Sequence, residues 1–351
     1  IGEGVKKEKM MTQIQERARS EQTMAATTEL SYCEALNAAQ FQAMELDSGV
    51  FVFGLGVDRT GAVFGSTKGL VEHFGEKRVF DTPTSEHALT ALAAGAANSG
   101  LRPVLVHQRI DFMLHSMDQI VNWISLWQFK SGGRSRMPLV IRAIVGKGWG
   151  QGPQHAKSLH PLFAHLPGMQ VVMPSSPAEA KGLLLASIFS NSPTVFIEGR
   201  SLYSMKEQVP NAPYFIRLGK ASICTAGTDV TLVSFGSMMP AALEAAIEAR
   251  KIDINVEVVD LRTVAPLDIE TVCASVEKTG RLVVAESGWG RYGVAGEIIS
   301  TVAERLTPTL KAAPKRVTWP NSHVPMSAPL EEKFYPTAST ILGALKDVCG
   351  P

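Results

Sequence analysis

The sequence predicts an α/β chain folded as two doubly wound domains, and three observations carry that prediction. Short apolar runs rich in Val, Ile and Phe alternate with longer small-residue or amphipathic stretches, the pattern of parallel strands joined by helices. The alternation breaks over residues 201–217, where Pro210 and Pro213 interrupt weakly periodic sequence, and then restarts. The length of 351 residues suits two cores better than one. Composition is that of an ordinary globular protein, 45% hydrophobic and 19% charged with a formal net charge of +1. So small a charge gives no electrostatic reason to expect nucleic acid or an anionic membrane as partner. No apolar run is long enough to span a bilayer. The four cysteines, Cys33, Cys224, Cys273 and Cys349, are scattered without ligand spacing, which argues against a structural zinc site or a disulfide framework. The cytoplasm is the default location; because the chain does not begin with Met, an organelle matrix stays open.

Taken in order, residues 1–28 are polar and charged and are expected to form a mobile or partner-dependent arm, with Met10 and Met11 as candidate native starts. Ser31 is placed to cap an amphipathic helix carrying Ala35, Leu36, Ala39, Phe41 and Met44. Residues 50–54 read as a buried strand that enters a loop holding Gly56, Gly61 and Gly65. A short helix over 67–74 and a strand at 78–80 follow. Pro83 stops that strand, and Ser85 is expected to cap a helix over 88–97 whose first turn holds Glu86. Next come a Gly100–Pro103 turn, a strand at 104–106 and a longer helix over 112–129. A strand at 138–145, a glycine-rich loop over 146–160, a strand at 170–173, a helix over 177–189 and a strand at 194–198 complete the first domain, 29–200. Beyond the linker 201–217, the second domain, 218–351, reads as strands at 230–235, 256–259, 281–286 and 316–319. Helices over 240–250, 268–277, 294–306 and 337–348 alternate with them.

By itself Glu86 reads as a helix-start acid, favoured by the dipole and the free N–H groups. The company it keeps changes that reading. The series runs from Asp81-Thr82-Pro83-Thr84-Ser85-Glu86 through Asp111-Phe112, Ser131-Gly132-Gly133 and Pro153-Gln154-His155 to Pro174-Ser175-Ser176-Pro177. It continues with Glu179-Ala180-Lys181-Gly182-Leu183, Asp260-Leu261-Arg262-Thr263, Pro266-Leu267-Asp268 and Pro329-Leu330-Glu331. This ordered set resembles the β subunits of the thiamine-diphosphate-dependent 2-oxo acid dehydrogenases (pyruvate, branched-chain and acetoin enzymes) of the wider transketolase group. The resemblance covers nearly the whole chain from Glu29 and implies a pyrimidine-binding domain followed by a smaller transketolase C-terminal domain.

What the resemblance implies for chemistry is specific. Thiamine diphosphate does the difficult organic step, while the protein orients the cofactor and tunes its protonation. A carboxylate must hydrogen-bond a nitrogen of the aminopyrimidine ring, and Glu86 matches it. Phe112 matches the aromatic residue that stacks on that ring; read without the resemblance it is a core Phe at a strand-to-helix junction. His155 follows a flexible Gly-rich run, which packing explains poorly, and histidine is a residue type suited to proton handling; it matches a histidine that contacts the substrate carboxylate or the adduct. His160 is a candidate for the entrance, His165 for a structural role, and His323 is a weaker candidate in a late loop. His107, Gln108 and Arg109 stand where the common dehydrogenases carry apolar residues and an acid, and Lys147 and Trp149 enlarge and charge a loop that is usually small. They suit a polyhydroxylated, carboxylated or phosphorylated substrate, or else mark family drift. The run Gly54-Leu55-Gly56 lacks the acid that relatives carry there.

No Gly-Asp-Gly sequence occurs in the chain. The resemblance assigns that motif, with Mg²⁺ and the diphosphate, to a separate α subunit, two of each chain forming a heterotetramer. Three functions therefore compete. The first is a β subunit that decarboxylates a 2-oxo acid and passes the acyl group to the lipoyl domain of an acyltransferase. The second is a stand-alone transketolase-like enzyme transferring an acyl or ketol unit to a sugar-like or other carbonyl acceptor. The third is a non-catalytic partner, against which Glu86, Phe112 and His155 argue.

Overall fold

The computed structural model describes residues 26–350 apart from 60 and 149, with the side chain of residue 62 also left undescribed. The first half runs β1 (Thr27–Ser31), α1 (Tyr32–Leu46), β2 (Val50–Gly54), α2 (Leu70–Phe74), β3 (Val79–Phe80), α3 (Glu86–Asn98) and β4 (Arg102–His107). After a run of irregular helical turns come β5 (Val140–Val145), α4 (His160–Ala164), β6 (Gln170–Val172), α5 (Pro177–Ile188), β7 (Thr194–Gly199) and β8 (Lys206–Pro210). The second half runs β9 (Ser222–Thr225), β10 (Val230–Ser234), α6 (Met239–Arg250), β11 (Val256–Asp260), β12 (Thr263–Ala265), α7 (Ile269–Thr279) and β13 (Leu282–Trp289). It ends with α8 (Val294–Leu306), β14 (Lys315–Trp319), α9 (Ala328–Phe334) and α10 (Ala338–Cys349).

Apolar residues on both faces of the central strands bury them between two helical layers, as a parallel sheet requires. The large sheet has the order β12-β6-β7-β5-β4-β2-β3. One of its faces packs Leu36 and Ala39 of α1 and Leu183 and Leu184 of α5 against Val52, Val104 and Ile144. The other packs Leu89 and Ala93 of α3 with Met113 and Ile124 against Phe53, Leu105 and Ile141, and this core continues into Phe235, Val259 and Leu261 of the second half. The smaller sheet has the order β14-β13-β10-β11-β9 and is parallel except for β9.

The two halves share one sheet. β12 leaves the second half to pair antiparallel with β6 at the edge of the large sheet. Beside this pairing, Asp260 and Arg262 of the Asp-Leu-Arg-Thr motif meet the Pro-Ser-Ser-Pro…Glu motif of α5. Arg262 Nε donates to Glu179 Oε1 at 2.5 Å, and the Ser175 hydroxyl lies in hydrogen-bond contact with the carboxyl groups of both Glu179 and Asp260, its single proton serving one of them. Two stretches that only resemblance had joined are thus one interlock between domains.

Several local expectations are corrected. Residues 1–25 of the arm lie outside the described residues, and Thr27–Ser31 form a strand paired with β8, inside the stretch read as a linker. That stretch is strapped to α5, because Lys181 Nζ donates to the carbonyls of Pro210, Asn211 and Ala212. Ser31 does cap α1 in a capping box with Glu34, whereas the Ser85 side chain makes no cap hydrogen bond to α3. The helix expected over 112–129 is broken into short turns, including a wide turn at Ile120–Ile124. There Ser125 N reaches back to Ile120 O and its hydroxyl bonds Val121 O, an alternative to regular helix that Ser offers readily.

Candidate active site

Strands β2, β4 and β5 run parallel, so the loops that leave them open on one edge of the sheet. From β2 the chain goes first to β3 on one side and then across to β4 on the other, which puts the topological switch between β2 and β4. Ligands of such sheets bind in the crevice outside the strand ends at that point. Gly54 closes β2 at φ 144°, where a Cβ would collide with the Val106 carbonyl oxygen, so glycine is required for β2 and β4 to meet there.

Four segments converge on this edge. The loop after β2 holds Val63 and Phe64 in left-handed backbone, φ 48° and 56°, a conformation that costs roughly 1 kcal/mol or more per residue. The Phe64 ring is covered by the guanidinium groups of Arg109, at 5.0 Å, and Arg200, at 4.6 Å, which offsets part of that cost. The second segment is α3, which opens with Glu86, half-buried. Among the described residues its carboxylate receives no hydrogen bond. The helix is laced to the turn after Phe112 by Thr90 Oγ1 donating to Ser116 Oγ at 2.8 Å and by a His87–Gln119 contact at 3.2 Å.

The third segment is Gln108–Phe112 and the fourth is the glycine-rich loop 146–155. Phe112 and His155, predicted from separate motifs, are brought together edge to face with ring centroids 5.6 Å apart. Two contacts hold the loop there: Arg109 Nη2 donates to Gln151 Oε1 at 3.0 Å, and Lys157 Nζ bonds Asp111 Oδ1 at 2.8 Å. Arg109 Nη1 also donates to its neighbour's carbonyl, Gln108 O, at 2.7 Å. The loop folds back tightly, since a Cβ on Gly146 would run into the His155 carbonyl.

The remaining candidates divide. Arg109 is only 8% exposed and braces the loop, so its main groups are committed within the protein. His107 ends β4 almost fully buried, and burial pulls its pKa down to about 4, which keeps the ring neutral. His160 does not line an entrance: it is fully buried, its Nδ1 meets Ser158 Oγ at 3.0 Å and its Nε2 meets Glu286 Oε1 at 2.8 Å. Glu286 also accepts the first amides of α8, so His160 is a tie between the domains. His165 is exposed rather than packed, and His323 stacks edge-on to Trp289. Trp149 lies outside the described residues. Sequence reasoning missed Gln151, Asp111 and Lys157, whose role depends on a fold-back that no local pattern announces.

Buried polar atoms without a partner among the described residues gather along the same stretch: His107 Nε2, Arg109 Nε and Asp111 Oδ2. Polar groups left unpaired beside a crevice suit a polar ligand. Residues 28–206 match the sequence model of the family described as transketolase, pyrimidine binding domain, and residues 219–341 that of transketolase, C-terminal domain. The β subunit of acetoin:2,6-dichlorophenolindophenol oxidoreductase from Cupriavidus necator is 41% identical over 327 residues, covering 90% of this chain and 96% of its own. The chain belongs to the family of 2-oxo acid dehydrogenase β subunits of transketolase type. The β subunit of the pyruvate dehydrogenase E1 component from Bacillus subtilis is 39% identical over 321 residues, covering 91% of this chain and 98% of its own. A split-gene transketolase, solved as an inactive beta4 tetramer, shares the fold at a TM-score of 0.76 and 23% identity, over 91% of this chain and 98% of that one. The four segments at the sheet edge thus sit within the pyrimidine-binding half of a β-subunit family member.

Proposed function

We propose that this chain is the β subunit of a two-subunit thiamine-diphosphate enzyme that decarboxylates a 2-oxo acid and transfers the resulting acyl group. The meeting of Phe112 and His155 at the sheet edge onto which α3 and its Glu86 open carries the reading. The residues present fit the cofactor's pyrimidine end: the edge holds a carboxylate and buried polar atoms that have no partner among the described residues, and a half-buried aromatic ring. When bound, thiamine diphosphate supplies the carbon nucleophile for the 2-oxo group and the sink for the electrons that decarboxylation releases. Glu86 would hold a pyrimidine nitrogen by a charge-assisted hydrogen bond and so set the protonation of that ring. Phe112 would stack on the ring. His155, in reach of Phe112 on a braced loop, orients the substrate carboxylate and carries a proton between solvent and the reacting group.

The diphosphate and Mg²⁺ fall to a partner α subunit, since the chain lacks the Gly-Asp-Gly sequence and its relatives are themselves named as β subunits. Two copies of each chain, closed by two-fold symmetry, form the assembly, and a lipoyl acyltransferase is the acyl acceptor. Among the described residues no helix is long and apolar enough to cross a membrane; the cytoplasm is the proposed location. The sugar-transferring alternative rests on Leu55, Arg109 and Trp149, and of these a buried Arg109 committed to Gln108 and Gln151 weakens it.

The test is Glu86→Ala in the reconstituted pair, assayed against a panel of 2-oxo acids. Turnover should fall by at least ~10²–10⁴-fold, the usual effect of deleting a proton-transfer group, with an unchanged melting curve. Activity within a few-fold of wild type would remove Glu86 from the mechanism.

A further inference from the structure

The glycine-rich loop is held from a second side, by the C-terminal half. Glu331, on α9, is 4% exposed. Its Oε1 accepts from Gly148 N at 2.8 Å and from the Tyr335 hydroxyl at 3.2 Å, and its Oε2 accepts from Gly150 N at 3.2 Å. Gly148 and Gly150 have φ of 82° and 64°, and these left-handed turns aim both amides at one carboxylate. The approach is close: a Cβ on Gly150 would stand 2.9 Å from the Met326 carbonyl, and one on Gly152 would collide with the Met326 side chain. Lys147 Nζ lies 4.7 Å from the Tyr335 ring centroid, directed toward α9 rather than toward the sheet edge. An acid in the first turn of a helix ordinarily serves its own amides. Here both oxygens are committed to a loop more than a hundred residues away in sequence.

From this geometry we infer that Glu331 is a positioning residue of the active site. Its carboxylate fixes the backbone at Gly148 and Gly150. Arg109, through Gln151, and Asp111, through Lys157, fix the loop from the other side. Between these anchors His155 is kept against Phe112. Glu331 touches neither substrate nor cofactor; it acts through the loop. The inference deepens the proposed function and rests on it, because it requires His155 to serve in turnover. Loss of the anchor lets His155 move, and a displacement of about 1 Å in a reacting constellation costs roughly 10²-fold in rate.

Glu331→Ala and the milder Glu331→Gln, which keeps the volume but only one acceptor oxygen, are compared with His155→Ala in the assembled two-subunit enzyme. Hydrogen exchange is followed on the 146–155 peptide, alongside kcat, KM for the 2-oxo acid, thiamine diphosphate affinity and melting temperature. Both Glu331 variants should speed exchange in that peptide by about tenfold or more while exchange elsewhere holds. They should lower kcat by roughly 10- to 100-fold, less for Gln than for Ala, with KM and cofactor affinity little changed. Unchanged exchange in the Ala variant overturns the anchor. Faster exchange with normal kcat, while His155→Ala abolishes turnover, overturns the positioning role alone. Normal turnover in His155→Ala as well would bring down the reading of the loop as catalytic, and this inference with it.

Discussion

At the end of β4 a histidine is kept neutral by burial alone, and that makes stability depend on pH. The unfolded chain takes up the proton near 6.5, whereas folded His107 does so only near about 4. Its contribution is therefore complete above pH 6.5 and is lost as pH falls through 4, an effect on the order of 3 kcal/mol. His107→Leu should flatten the fall of melting temperature across that window; an equally steep fall would assign the acid sensitivity to other groups. Two residues further on, Arg109 admits two roles that mutation can separate. As a brace for Gln151 and a cover for Phe64, its replacement by Met should lower the melting point and reduce kcat/KM for every substrate alike, by about 1.5–3 kcal/mol. A loss confined to large polyhydroxylated substrates, with an unchanged melting point, would restore the recognition role. Sequence could name Arg109 as unusual because its chemistry is conspicuous. It could not tell brace from reader, since that depends on Gln151 arriving from 42 positions away.

Elements show the same division between local and distant causes. Strands β2, β4, β5 and β7 were legible because their apolar runs are long and bounded by turn residues. Strands β9 and β12 were not, being three or four residues long and defined by the partner each one finds. The Ser85 cap failed for a related reason. Asp81, not Ser85, organises that corner, accepting from Gly56 N at 2.6 Å and Thr82 N at 2.8 Å, and the capping motif was read without knowing where the loop after β2 would lie. The domain interlock carries a prediction of its own. Burial and the nearby Glu179 carboxylate push the Asp260 carboxyl well above its usual value. Burial also acts to raise Glu179, but Arg262, Ser175 and Asp260 together hold it low. The geometry is that of one proton kept on Asp260 beside an ionised Glu179. A raised folded value means the stability Asp260 lends is complete below its unfolded value of about 3.8 and declines as pH climbs through the raised one. Asp260→Asn preserves a donor and removes the titration, so the variant should melt higher than wild type on the alkaline side, by a few degrees per ~1 kcal/mol. If wild type and variant melted in parallel from pH 5 to 9, the shared proton would be disproved.

On the scale of the whole molecule, the proposed function gives the chain one side of a cofactor site. On that reading the pyrimidine side is the edge where the loops of β2, β4 and β5 and the start of α3 converge, and the glycine-rich loop there is held from the C-terminal half by Glu331. The diphosphate side is different in kind. Two phosphates and a divalent cation call for several oxygen ligands in near-octahedral order, and the proposed function places those ligands on the partner. Binding energy should be divided accordingly. On the proposed reading the isolated chain offers stacking on Phe112 and one charge-assisted hydrogen bond to the Glu86 carboxylate, a few kcal/mol against the cost of immobilising a flexible cofactor. Calorimetry on the chain alone should therefore show thiamine diphosphate binding weaker than about 10⁻⁴ M and indifferent to Mg²⁺, with no turnover. Adding the α subunit should bring tight, Mg²⁺-dependent binding and activity together, in a species whose light-scattering mass equals two of each chain. Tight Mg²⁺-dependent binding by the lone chain, or an active monomer, would place the diphosphate ligands here after all and make the two-subunit site untenable.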